Sequence, residues 1–197
     1  MNQDRWREIL SVSARLFKEK GYRATAMEDI ARELHITKPA LYYYIRSKHD
    51  LLYSIIDEAI GQLMQGLERI RDSGDAPDEK LRQLISWQVN MFSRYGDFTN
   101  VYLANEAELE PVRREYVRER SREYEKLYRQ VLQEGMGTGR FRAMEVNTAV
   151  RAISGMCNWL SAWYSGNGKM SADEIAGVFF DLVMGGLEGR REKRGAS

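Results

Sequence analysis

Residues 25–52 read TAMEDIARELHITKPALYYYIRSKHDLL, and the organisation of the chain follows from this stretch. Thr25-Ala26-Met27-Glu28 has the form of a capping box, in which the threonine oxygen accepts from the Glu28 amide and the glutamate reaches back to the Thr25 amide. A helix is therefore expected to begin here. Met27, Ile30, Ala31 and Leu34 follow at i, i+3, i+4 and i+7, a stripe one helix face wide that reads as core. His35-Ile36-Thr37 is a three-residue turn. Thr37 is placed to cap the next helix and Pro39 falls in its first turn, where no amide donor is missed. That helix is expected over Lys38 to Tyr44 or Ile45, and Ser47-Lys48-His49-Asp50 repeats the cap logic to start another. A helix of barely two turns is not self-sustaining in water, so its neighbours must hold it.

Tyr42-Tyr43-Tyr44 sweeps most of the circumference of that short helix, because successive residues turn by about 100°. All three cannot be core. With Leu41 and Tyr44 or Ile45 inward, Tyr42 and Tyr43 face outward beside Lys38 and Ala40. Exposed phenols suit phosphate contact and packing on thymine methyls or sugars, although an aromatic surface covered by another part of the protein fits the same pattern. Before this stretch, Ile9, Val12, Leu16 and Phe17 form a helical stripe from Asp4 to Lys20, which Gly21 stops.

The rest of the chain bounds the answer. It has 197 residues, 43% hydrophobic, enough for a substantial core. Three prolines and no sustained alternation of polar with β-branched residues make it all-α. Cys157 cannot form an internal disulfide and no charged leader opens the sequence, so a cytoplasmic location is expected. No apolar run reaches the roughly 20 residues of a membrane span. Residues 1–50 hold ten Lys/Arg against seven Asp/Glu, whereas the remainder holds twenty against twenty-two. That mild basic bias permits nucleic-acid binding at one end without proving it. Catalysis has little support: His35 and His49 both lie in the first fifty residues, and one cysteine cannot build a metal cluster. Neither an enzyme nor a metal site is expected. Gly135-Met-Gly-Thr-Gly139 is not a phosphate loop, since no strand precedes it and no Lys-Ser/Thr follows.

Thr25 to Ala31, Thr37 to Ile45 and Ser47 to Leu52 together resemble the DNA-binding domain of the tetracycline-repressor (TetR) family, over about residues 5–52. The resemblance implies a helix-turn-helix domain at 1–50 and a helical ligand-binding and dimerisation domain at 51–197, about nine helices in all. It further implies that Lys38, Pro39, Ala40 and Tyr42 approach base edges while Thr25, Thr37, Tyr43 and Lys48 hold phosphates of double-stranded DNA. Tyr44 departs from the histidine or phenylalanine common at its position. Two copies of the short reader would address two half-sites of a palindromic operator, about 34–36 Å apart or more.

Beyond the reader, Leu52, Ile55, Ile56, Ala59, Ile60, Leu63 and Leu67 carry the fourth helix to about Arg71. Further helices are expected from Asp75 or Pro77 to Tyr95, Phe98 to Glu108, Pro111 to Glu134, 145–165 and 172–188. The last two are apolar around most of their girth, so a second cover is needed. Met156, Trp159, Trp163, Phe180, Met184 and Leu187 are expected to face a second copy of the chain, in a homodimer of the kind the resemblance implies. A wholly intramolecular core is the competing arrangement.

Trp87, Met91, Tyr95, Phe98, Tyr102, Tyr124, Tyr128, Met156 and Trp159 suggest an adaptable apolar pocket for a small-molecule effector. Asn90, Glu106 and Asn158 are candidate polar contacts within it. The same side chains also fit ordinary core and surface packing. Tyr102 to Leu109, Trp163 to Ile175 and Gly185-Gly186-Leu187 are similar to repressors of fatty-acid and sterol breakdown, which respond to coenzyme A thioesters. By that resemblance no cofactor is needed and the effector is an acyl-CoA, with Arg113, Arg114, Arg118 and Arg122 meeting its phosphates. The alternatives are a multidrug-type repressor and a constitutive DNA-binding regulator without effector.

Overall fold

The computed structural model describes residues 3–166 and 168–187. Ten helical segments follow one another: α1 (Gln3–Lys20), α2 (Met27–Glu33), α3 (Lys38–Tyr44), α4 (Lys48–Arg71), α5 (Pro77–Arg94), α6 (Gly96–Asn105), α7 (Pro111–Gly137), α8 (Val146–Asn158), α9 (Leu160–Trp163) and α10 (Ala172–Leu187). A 3₁₀ turn at Glu106–Glu108 links α6 to α7, and the described residues contain no strand. Counted as one helix kinked at Trp159, α8 and α9 bring the total to the nine expected. The last expected helix reached residue 188, which lies outside the described residues.

The first three helices share one apolar interior, in which Ile9, Phe17, Ile30, Leu34 and Leu41 are buried together. Gly21, with φ +87°, ends α1 in the left-handed region that favours glycine. The expected capping box at Thr25 is corrected. Ala26 is the N-cap of α2, and Asp29, not Glu28, reaches back to the Ala26 amide at 3.1 Å. Thr25 is buried, its hydroxyl 2.9 Å from the Gly21 carbonyl and 3.2 Å from that of Leu16, so it ties the end of α1 to the start of α2. The other two caps form as expected: Thr37 accepts from the Ala40 amide at 3.3 Å and Ser47 from the Asp50 amide at 3.0 Å.

α4 belongs to both halves. Its 24 residues span roughly 36 Å at 1.5 Å per residue. Leu51, Leu52, Ile55 and Ile56 are fully buried where α1, α6 and α7 meet it. The expected boundary after residue 50 therefore falls inside the first turn of a continuous helix. Farther along, Gly66 lets Trp87 of α5 pack closely against α4; a Cβ there would sit 1.9 Å from the indole. α10 packs along α5, and the extended segment after α7 clasps its end, the Arg142 amide donating to the Leu187 carbonyl at 2.9 Å. No helix among the described residues is long and apolar enough to cross a membrane.

Candidate nucleic-acid interface and interior site

The outer face of α3 carries the exposed side chains that the sequence reading singled out. Tyr43 is 85% and Tyr42 41% exposed, whereas Leu41 between them and the core is fully buried. Lys38, Pro39 and Ala40 lie at the amino end of the same helix, with Lys38 and Pro39 exposed and Ala40 half-buried. The Lys38 ammonium lies 5.9 Å from the Tyr42 ring centre and is paired with Glu28 of α2. That pairing holds the Glu28 carboxyl below, and the Lys38 ammonium above, their ordinary values. Thr37 is exposed, but its oxygen is committed to capping α3.

Lys48 donates to the Arg23 carbonyl at 3.2 Å and rests 4.5 Å from the centre of the Tyr22 ring; partial burial lowers its pKa. Its ammonium has three hydrogens, so donors remain for a phosphate at the start of α4. Thr25 is corrected as a phosphate contact. Only 1% exposed and turned toward the carbonyls of α1, its hydroxyl cannot reach a phosphate without unmaking the α1–α2 corner.

Ion pairs cross the seam between this region and the body. Lys18 meets Asp97 at 2.8 Å and Arg23 meets Glu108 at 2.9 Å. Asp50, in the first turn of α4, is bonded by Ser47 and by Arg113 of α7, which together hold its carboxyl below the ordinary range. Arg113 also lies 4.8 Å from the Tyr53 ring centre. The other arginines of α7 considered for phosphates are likewise engaged. Arg114 donates to the carbonyls of Ala107 and Leu109, Arg118 meets Glu106 at 3.4 Å and Arg122 meets Glu115 at 2.8 Å. Glu106, expected to contact an effector, is thus turned toward Arg118.

Inside the body, α5, α7 and α8 enclose a polar cluster. Gln88, 3% exposed, accepts from the Tyr124 hydroxyl at 2.7 Å and the Tyr128 hydroxyl at 2.8 Å, and donates to Asn158 at 3.0 Å. Ser154 Oγ lies 2.9 Å from the Tyr124 hydroxyl. Burial raises the pKa of both tyrosines and pushes the adjacent Cys157 thiol up to about 12. All these groups stay neutral at physiological pH. Met91 is buried, and half-buried Tyr102 bonds Ser121 at 2.8 Å.

Other expected effector contacts lie elsewhere. Trp87 donates to the Leu63 carbonyl at 3.0 Å against Gly66 of α4, and Asn90 ties α5 to Asp173 of α10 at 2.7 Å. Tyr95 and Phe98 stand at the α5–α6 corner, lining a cleft with Arg7, Leu10 and Gln62. Trp159 is 67% exposed and so is no part of the interior. Gln88 and Ser154 went unnoticed in the sequence. Gln88 could have been found, since it sits in register with Leu81, Leu84, Ile85 and Phe92, where a polar residue enters the core and must find partners.

Exposed apolar side chains also stand on the last helices, where Trp159, Trp163, Val178 and Leu182 are 67%, 50%, 46% and 66% exposed. On the last helix, the residues expected at a second copy lie toward the inner side. Phe180 and Met184 are half-buried against the core and Leu187 is 6% exposed, because α10 turns that side toward α5 and the segment after α7; Val178 and Leu182 point outward instead. Met156 is half-buried.

A helix-turn-helix reader joined by one long helix to an all-helical body defines a DNA-binding regulator of two parts. Residues 9–55 match the model of bacterial regulatory proteins of the tetR family, and residues 74–187 match that of the tetracyclin repressor-like C-terminal domain. The chain belongs to the tetR family of transcriptional regulators. It is 27% identical over 183 residues to the HTH-type transcriptional repressor KstR2 of Mycolicibacterium smegmatis, covering 91% of this chain and 89% of that one. Among solved structures it is similar to the TetR family regulator PfmR of Thermus thermophilus, with TM-score 0.86, 34% identity and coverage of 92% and 99%. It is also similar to AibR, solved in complex with isovaleryl coenzyme A and operator DNA, with TM-score 0.83, 25% identity and coverage of 90% and 97%.

Proposed function

We propose that this regulator is a repressor that reads a palindromic operator as a homodimer and leaves it when a small apolar effector, an acyl-CoA thioester, binds the body. The observation that carries the reading is the outer face of α3, where Tyr42 and Tyr43 are exposed beside Lys38 although the core of the reader needs neither. Phenols and an ammonium on a helix of this width suit the major groove and its flanking phosphates.

Dimerisation is supported by Trp159, Trp163, Val178 and Leu182, four large apolar side chains left exposed over α8, α9 and α10. The effector reading draws on the AibR complex and on the buried Gln88–Tyr124–Tyr128–Ser154 cluster, whose donors and acceptors can turn to a thioester carbonyl in an otherwise apolar interior. A coenzyme A phosphate competing with Asp50 for Arg113 would act directly on the first turn of α4. That turn carries the reader.

The test is selection of bound duplexes from a random library, followed by titration of the complex with acyl-CoAs, the free acids and bulky apolar cations. Release by acyl-CoA alone is expected, together with thermal stabilisation of about 2.7 kcal/mol at a hundredfold excess over Kd. Release by apolar cations instead would replace the effector with a drug-like one. No release by any of them would mean constitutive binding.

A further inference from the structure

The pair Glu28–Lys38 joins the two helices of the reader. Glu28 is the second residue of α2 and Lys38 the first of α3, and their side chains are 52% and 46% exposed. A pair so exposed contributes little to stability. It lies on the face that carries Tyr42, since the same ammonium stands 5.9 Å from that ring. A carboxylate on such a face works against phosphate contact, so general affinity for DNA does not account for it. What a carboxylate can do in the major groove is accept from a base amino group.

We propose that Glu28 and Lys38 act as one unit that reads a single G·C base pair in each half-site. Lys38 donates to guanine O6 and N7, and Glu28 accepts from the N4 amino group of the paired cytosine. The inference rests on α3 being the DNA reader. The G·C edge places its two acceptors side by side and its donor on the other half, and an ammonium beside a carboxylate presents the reverse order. In A·T the adenine amino group lies between two acceptors, N7 and thymine O4, both of which a carboxylate reaching that donor would meet. Spacing agrees as well. Guanine O6 and cytosine N4 are hydrogen-bond partners about 2.7–3.2 Å apart, the separation natural to a bonded ammonium and carboxylate. Each group holds the other charged, Glu28 with its pKa lowered and Lys38 with its pKa raised, so the unit stays ionised at any pH used for DNA binding.

The experiment selects duplexes from a random library with the full chain, Glu28→Ala and Lys38→Met, each variant first checked for an unchanged thermal transition. The unaltered protein is expected to require G·C at one position of each half-site. Both variants should relax that same position, with discrimination falling roughly tenfold or more, and leave the others as they were. A Glu28→Ala protein that binds all duplexes more tightly with its sequence preference unchanged would overturn the proposal, showing a carboxylate that only screens Lys38. Relaxation at two different positions, or A·T at the shared one, would overturn it too. Enrichment of no sequence by the unaltered protein would instead remove the DNA-reading assignment on which the inference stands.

Discussion

Gln88 accepts from two buried tyrosine hydroxyls, so its loss takes the acceptor from Tyr128 while Tyr124 keeps Ser154 at 2.9 Å. Gln88→Leu is expected to destabilise the chain by about 1–3 kcal/mol, the cost of one buried unsatisfied hydroxyl. Adding Tyr128→Phe removes the orphan and should recover much of that loss in chemical denaturation; a double variant worse than Gln88→Leu would mean that the Tyr128 hydroxyl contributes net stability without Gln88. At the surface, the Thr148 side chain, followed by the amides of Thr148 at 2.6 Å and Asn147 at 3.1 Å, hydrogen-bonds the Glu145 carboxylate and pulls its pKa down to about 2. A depressed carboxyl stabilises the fold above its ordinary pKa, about 4.3, and ceases to do so as pH falls through the folded value. Melting temperatures of the unaltered chain and Glu145→Ala should therefore differ at pH 7 and converge as pH approaches 2. At this scale the exposed Tyr42 and Tyr43 were legible in the sequence, since three tyrosines in a row cannot share one helix face. Thr25 was misread because a threonine before a helix has the same local pattern whether its hydroxyl caps the turn or points inward to the preceding helix.

Helices were read well where caps and apolar period agreed, as for α3, α4 and α5. The division of α8 from α9 at Trp159 had no local signal, since neither glycine nor proline marks it. The match of Gly66 to Trp87 is a property of two elements together. Gly66→Ala places a Cβ 1.9 Å from the indole, which must move and lose its 3.0 Å bond to the Leu63 carbonyl. The expected cost is about 1–3 kcal/mol, measured by urea titration; an unchanged midpoint would show that α4 and α5 can part freely. Because α4 also bears the first turn with Asp50, any looseness between α4 and α5 reaches the reader through one continuous helix.

For the whole molecule, the proposed dimer seats a second copy on the exposed apolar side chains of α8, α9 and α10. Leu182→Glu and Trp159→Glu put a charge on side chains already 66% and 67% exposed, so the isolated chain should fold normally. Light scattering is expected to give a monomer, and affinity for a palindromic duplex should fall more than a hundredfold, with half-site binding retained. A dimer that survives both changes would place the partner on another face.

The all-helical class, the turn between α2 and α3 and the outward tyrosines were determined by the sequence itself, because caps, prolines and a 3.6-residue period act over neighbouring residues. Tertiary structure alone decided which side of α10 faces water. α10 is apolar on nearly every side, so its period leaves the choice open until α5 covers Phe180 and Met184 and the Arg142 segment covers Leu187. Tertiary structure likewise brought Gln88, Tyr124, Tyr128 and Ser154 together from three helices, and drew the arginines of α7 into pairs with Asp50, Glu106 and Glu115. A buried polar group or a charge is satisfied by whatever lies nearest in space, and distance along the chain carries no record of that.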